Sequence, residues 1–242
     1  MRVYLVRHGE SLATLDPTLF GRMDPRKVPL SVWGYEQTRD VGEFFRKRYT
    51  QDGHYIGKKL RFFYSPHLRI VQSKDGIIET LGKDLVAGAT EDEALREREH
   101  GEFDGLDEAA QQKRSPEIFA KLHSEQSELR YKTRMPGGES VEDVALRLND
   151  FMDRILAHPH PDEDIVIVTH GGNCRSLEDH HFSPNAVWLE NEAIPKTGDV
   201  IEIYKDTGSE LKAKCVLEGK KRLPGMKNYK TEAYGVGAAL RT

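Results

Sequence analysis

Residues 3–11 read VYLVRHGES, an apolar run that ends in Arg7 and His8 with Gly9 directly behind them. Val3 to Val6 is continuous and apolar, the pattern of a short strand buried on both faces. A second run, IVIVTHGG over residues 165–172, repeats the arrangement. Two strands therefore end in His-Gly. Along the chain, strand segments alternate with helical ones. That alternation implies an α/β fold with three layers, a mainly parallel central sheet between helices. In such sheets ligands gather beyond the carboxyl ends of the strands, where both His-Gly pairs fall.

Working outward, Leu60 to Tyr64 reads as a further strand, ending at Ser65-Pro66. Ser31 can cap a helix running to about residue 49, and Leu68 to Leu81 reads as another. Ser140 opens the clearest helix, with apolar residues at 141, 144, 145, 148, 151, 152, 155 and 156 and Asp143 completing a capping-box-like start. Residues 12–30 hold three prolines and read as a long loop. Asp84 to Ala87 is a weak strand, and Ser115 to Tyr131 a polar helix with Pro116 at its first position. Val200–Tyr204 and Leu211–Leu217 read as a hairpin across Asp206-Thr207-Gly208. Residues 1–217 are expected to form one domain, followed by a tail or surface flap over 218–242.

Composition narrows the functional class. The chain has 242 residues, 37% hydrophobic and 31% charged, with a net charge of −4. A nucleic-acid binder usually carries a basic excess, so that partner is not expected. No apolar run approaches the ~20 residues of a membrane helix. No signal-peptide pattern precedes the first strand, and the two cysteines, Cys174 and Cys215, make no disulfide framework. The expectation is a cytoplasmic protein with no membrane partner. Oligomeric state is not legible, and Trp188 to Ile194 suits either a core element or an interface.

The residues at the strand ends suit a phosphate ester. Its charges need donors that stay ionised, which arginine supplies through a planar fork. Arg7 is one candidate. Arg69, in Ser65-Pro66-His67-Leu68-Arg69, is the second. A neutral histidine between them can take the phosphoryl group if its other nitrogen is held in one tautomer. His8 is so placed that a rigid sheet aims it. The leaving oxygen then needs a proton, which a carboxylic acid can give. The stretch from Leu95 to Gly105 offers several carboxylates, and spacing alone does not choose among them. Asp179-His180-His181 invites a metal reading, but adjacent histidines point to different sides of an element and seldom share one ion.

Taken together these blocks resemble the histidine phosphatase superfamily, which includes cofactor-dependent phosphoglycerate mutases and acid phosphatases. The resemblance runs in order through Arg7-His8-Gly9-Glu10, then Ser65-Pro66 with Arg69, then Leu95 and Glu97 with Gly101 and Gly105. It continues through Gly138-Glu139-Ser140 and closes on His170-Gly171. It implies that His8 is the nucleophile, that Arg7, Arg69, His170 and Gly171 line the phosphate pocket, and that Glu97 is the proton donor, with Glu99 its competitor. It implies no metal, and for the phosphatase reading no cofactor is expected. It also places a cap insertion at about 107–137. Thr14 stands where many members carry asparagine and is a further pocket candidate. The stretch RMDPRKVP, residues 22–29, lengthens the path to the next helix and makes Arg22 a candidate extra contact.

Three functions fit. The first is a phosphatase acting on small phosphate monoesters through a phosphohistidine. The second is a bisphosphoglycerate-dependent mutase, for which the cap cations Lys113, Arg114, Lys121, Arg130, Lys132 and Arg134 speak. The third is a non-catalytic binder of phosphorylated ligands. The stretch Leu95 to Gly101 resembles the phosphatase branch more closely.

Overall fold

The computed structural model describes residues 1–177, 194–205 and 211–221. In chain order these form β1 (Val3–Arg7), α1 (Leu12–Leu15), α2 (Val32–Gln51), β2 (Lys59–Tyr64), α3 (Leu68–Leu81) and β3 (Val86–Glu91). There follow α4 (Glu108–Arg114), α5 (Pro116–Leu122), α6 (Ser127–Lys132), α7 (Val141–Leu156), β4 (Glu163–Thr169), α8 (Gly171–Ser176), β5 (Val200–Lys205) and β6 (Leu211–Leu217). The strands make one six-stranded sheet in the order β3-β2-β4-β1-β5-β6. The first four are mutually parallel, and β5 and β6 run antiparallel at the far edge.

The side-chain period of two divides the core into two layers. Val3, Leu5, Ile165, Ile167, Ile201 and Ile203 face Val144, Leu148, Phe151 and Met152 of α7. Tyr4, Val6, Val166, Val168 and Phe62 face Val41 and Phe45 of α2 and Ile70 and Ile77 of α3. β1 and β4 are central strands buried on both sides, which is why their sequences run apolar without alternation. α7 carries the expected capping box, with Ser140 and Asp143 bonding each other's backbone.

Three expectations are corrected. Residues 12–30 are not a plain loop: Ser11 and Thr14 form a capping box on α1, and Pro17 and Pro25 start single 3₁₀ turns, since proline's fixed φ suits a first helical position. β3 begins at Val86 and runs to Glu91 rather than covering 84–87. It is an edge strand of small and polar residues, held by backbone pairing to β2, so it has no apolar pattern to read. The expected helix over 115–131 is two helices, interrupted where Ser124 Oγ accepts from the Gln126 N–H; α4, capped by Asp107, precedes them. The hairpin of β5 and β6 is as expected; its turn, Asp179-His180-His181, Trp188 to Ala193 and the chain after Lys221 lie outside the described residues. No helix among the described residues is long and apolar enough to cross a membrane.

Candidate active site

Three neighbouring parallel strands deliver the site. β1 ends at Arg7 and hands over His8, and β4 ends at Thr169 and hands over His170. β2 ends at Tyr64, before Ser65, His67 and, in the first turn of α3, Arg69. The His8 N–H donates to the Thr169 carbonyl at 3.1 Å, which ties the two histidine-bearing strand ends together.

His8 is buried, with Nδ1 2.7 Å from the carbonyl oxygen of Gly9. A carbonyl only accepts, so Nδ1 carries the proton and Nε2 the lone pair. Burial, with the charges of Arg69 and Arg7 beside it, pushes the pKa well below the usual 6.5. The ring therefore rests neutral, its nucleophilic form. Gly9 is required by packing. A Cβ there would stand 2.3 Å from the Gly34 carbonyl oxygen, and one on Gly34 would stand 2.1 Å from that of Glu10. The first turn of α2 thus seats backbone on backbone against the His8 loop. Ser31, the cap of α2, donates to Glu10 Oε1 at 2.6 Å, and Gln37 Oε1 accepts from the Glu10 N–H at 2.7 Å.

His170 is fully buried. Its Nδ1 lies 3.2 Å from Arg69 Nη2 and its Nε2 2.9 Å from Ser65 Oγ. A guanidinium only donates, so Nδ1 accepts and Nε2 donates to Ser65. Nδ1 is also 3.5 Å from Glu97 Oε2. Burial, then Arg69, push this pKa well below 6.5 too, so the ring is uncharged and the approach to Glu97 is not an ion pair.

Arg69 is only 2% exposed. It donates to the Pro25 carbonyl at 2.7 Å as well as to His170. Arg7 donates to the Pro195 carbonyl, and its Nε is buried without a hydrogen-bond partner among the described residues. Gly171 makes room for it, since a Cβ there would press on Arg7 Cζ at 3.2 Å. Neither arginine has a carboxylate within ion-pair distance among the described residues. A buried Arg69 and a half-buried Arg7, unpaired to carboxylates among the described residues and set beside neutral histidines, can receive an anion.

Glu97 is held by its backbone neighbours. Thr169 Oγ1 and Asn173 Nδ2 donate to the Leu95 carbonyl at 2.9 and 2.8 Å, and Asn173 also donates to that of Arg96 at 2.8 Å. Arg96 and Arg147 both reach Glu139, at 2.6 and 3.0 Å, and Glu139 accepts from the Glu99 N–H. Burial alone would raise the Glu139 pKa; the bonds from Arg147, the Glu99 N–H and the charge of Arg96 outweigh it and hold the carboxyl below its usual value. A cavity of about 230 Å³ opens beside these groups, lined by His67, Arg69, Glu97, Phe20, Arg98 and His100 among others. A second hollow of about 270 Å³, with Met1, Arg61, His158 and Glu163 on its wall, lies at the opposite ends of the strands.

The structure brings Arg7, His8, Arg69, Glu97, His170 and Gly171 together. For Thr14 and Arg22 it shows other partners. The Thr14 hydroxyl closes the capping box with Ser11, and Arg22 is exposed and bonded to Asp16 and Thr18. Sequence reasoning gave no role to His67, to Ser65 as the partner of His170, or to Asn173. The first two sit inside the Ser65-Pro66 block, next to Arg69.

The sequence model of the family described as histidine phosphatase superfamily (branch 1) matches residues 3–211. The chain belongs to the histidine phosphatase superfamily. Among members of this superfamily, a 2,3-bisphosphoglycerate-dependent phosphoglycerate mutase 2 of Gloeobacter violaceus is 31% identical over 76% of this chain and 77% of its own. A phosphoglycerate mutase-like protein of Arabidopsis thaliana is 29% identical over 70% of this chain, which spans 62% of that protein's length. Solved structures show the same fold. A putative alpha-ribazole-5'-P phosphatase from Escherichia coli superposes with a TM-score of 0.66 at 16% identity, over 89% of this chain and 95% of that one. A mycobacterial glucosyl-3-phosphoglycerate phosphatase does so with a TM-score of 0.63 at 21% identity, over 91% and 99%.

Proposed function

We propose that the protein is a phosphatase that hydrolyses small phosphate monoesters through a phosphohistidine on His8. The observation that carries this is the pairing of a neutral, tautomer-fixed His8 with a buried Arg69 and a half-buried Arg7, neither of which is ion-paired to a carboxylate among the described residues. In the first step His8 Nε2 forms a bond to phosphorus while the bond from phosphorus to the ester oxygen breaks. The departing alkoxide takes its proton from the Glu97 carboxyl. In the second step a water oxygen attacks phosphorus and its proton passes to the Glu97 carboxylate. The P–N bond breaks, returning the electron pair to His8 and releasing inorganic phosphate. Arg7 and Arg69 carry the negative charge of the phosphoryl oxygens through both transition states. His170, which accepts from Arg69, keeps that guanidinium oriented.

Similarity to a bisphosphoglycerate-dependent mutase keeps the second reading in view. A mutase must hold a bisphosphate primer and keep water from the phosphoenzyme. In this chain, Arg114, Lys121, Lys132 and Arg134 of the cap region are paired with Glu102, Glu117, Glu128 and Asp143. Among the described residues, the cavity takes none of its lining from 107–137. Those pairings favour hydrolysis. The test is release of phosphate from p-nitrophenyl phosphate by native protein and by His8→Ala, set beside interconversion of 2- and 3-phosphoglycerate with and without a bisphosphate primer. Hydrolysis lost in the variant supports the phosphatase; primer-dependent interconversion without hydrolysis supports the mutase.

A further inference from the structure

His67 takes no part in the chemistry above, yet it stands in the same cavity. It is the N-cap of α3, but its side chain makes no capping bond. It is 4% exposed and lines the cavity with Arg69 and Glu97. Its ring meets that of His170 edge to face, with centroids 4.8 Å apart. Its Nδ1 is enclosed and has no hydrogen-bond partner among the described residues.

That orphaned nitrogen decides the tautomer. Burying a bare N–H costs more than burying a bare lone pair, because unpaired buried donors are the rarer exception in proteins. The proton therefore belongs on Nε2, with Nδ1 an acceptor that no described residue meets. Burial, with Arg69 and Arg26 nearby, brings the pKa down to about 3, so the ring does not take up a second proton at ordinary pH.

We propose that His67 is a specificity-determining residue, whose Nε2–H donates to an oxygen on the leaving group next to the ester bond. It would select phosphate esters whose leaving group carries a hydroxyl or carboxylate there over bare aryl or alkyl esters. A site built to bond a polar substituent rejects the analogue that lacks it, since the site's donor is then left unpaired. The proposal rests on the phosphatase reading only in taking this cavity as the leaving-group side.

The test compares two ligands, glycerol 1-phosphate, which has a neighbouring hydroxyl, and phenyl phosphate, which has none. Binding is measured by calorimetry in a His8→Ala background, so that no turnover intervenes. His67→Leu should weaken glycerol 1-phosphate about tenfold, near the 1.4 kcal/mol of one hydrogen bond, and leave phenyl phosphate within about twofold. His67→Gln, whose amide N–H reaches about as far as Nε2, should restore most of the loss, and the shorter His67→Asn should not. Equal weakening of both ligands, no weakening of either, no binding of either by the parent, or rescue by Asn instead of Gln would overturn the proposal. Nitrogen chemical shifts of the unsubstituted protein give a second readout that needs no variant at His67: Nδ1 of His67 should show the unprotonated signature and Nε2 the protonated one, and the reverse would overturn it. Failure of native protein to hydrolyse any ester would sink the phosphatase reading alone, because neither readout depends on turnover.

Discussion

The Nδ1 of His8 lies 2.7 Å from the carbonyl oxygen of Gly9, the residue that follows it. One short bond to its own chain thus decides which nitrogen of the ring faces outward with a lone pair. Because Gly9 is wedged against Gly34, the carbonyl cannot drift, and the tautomer is built into the packing of β1 on α2. A bulkier residue at 9 or 34 should lower turnover along with stability. Gly34→Ala, whose new carbon would stand 2.1 Å from the Glu10 carbonyl oxygen, should lower kcat for p-nitrophenyl phosphate at least tenfold in whatever protein remains folded.

Arg69→Ala should lower kcat/KM by about 10²–10³-fold, because the lost donor served both the bound phosphate and the transition state. Arg69→Lys should rescue little. A lysine has no fork to reach the Pro25 carbonyl, His170 and a phosphoryl oxygen together. Steady-state kinetics with inorganic phosphate as competing ligand reads both effects, and native-like turnover in either variant would refute the assignment.

Glu97→Gln should slow esters with poor alkoxide leaving groups by about 10²-fold or more, and p-nitrophenyl phosphate much less, since nitrophenolate departs without a proton. Equal slowing of both would count against Glu97 and turn attention to Glu99. Incubation with a chelator should leave the activity of native protein unchanged, because every group in the proposed cycle belongs to the chain.

How much of this was legible in the sequence follows from where the information sits. β1, β4 and α7 carry their own patterns, because burial on two faces or on one helical stripe is written in the residues themselves. β3 carries none, since an edge strand of Ala, Gly and Thr is held by its neighbour's backbone. Arg7, His8, Arg69 and His170 lie in short blocks at strand ends, so topology alone brings them together. Glu97 could be separated from Glu99 only by family resemblance, because what positions it, Asn173 and the Glu139 cluster, is distant in sequence. Thr14 shows a limit of one dimension, where a capping hydroxyl and a pocket hydroxyl look the same; this one closes a capping box with Ser11. His67 was passed over for a related reason: an orphaned ring nitrogen is a property of packing.

Acid should destabilise the protein through its buried histidines. His8, His67 and His170 have folded pKa values below the unfolded value of 6.5, so below that pH the unfolded chain binds protons that the folded one refuses. Their contribution is fully present above 6.5 and is lost as pH falls, at about 1.4 kcal/mol per pH unit for each histidine. For His67 the loss continues down to about pH 3. Denaturant midpoints of native protein and His67→Gln, measured between pH 7 and 4, should diverge in the variant's favour as pH falls. Parallel curves would contradict the burial of a neutral ring.

A last structural prediction concerns the far end of the sheet. Glu202, 1% exposed, holds Arg2 at 2.9 Å, Arg48 at 2.8 Å and Lys214 at 3.3 Å, with the Tyr4 and Tyr55 hydroxyls at 3.3 Å. Glu202→Leu removes the carboxylate that the largely buried Arg48 shares with Arg2, leaving Arg48 the Tyr55 hydroxyl, and should cost about 3 kcal/mol of stability. The folded fraction should keep its KM, since the site is built at the opposite strand ends.

The central claim is that one imidazole carries phosphorus in the middle of the cycle. Rapid quenching of turnover, followed by peptide mapping under conditions that preserve phosphoramidates, tests it most directly. The account predicts a transient phosphoryl group on His8 and nowhere else, absent in His8→Ala. A label on another residue, or hydrolysis that proceeds at full rate with no labelled enzyme, would contradict it.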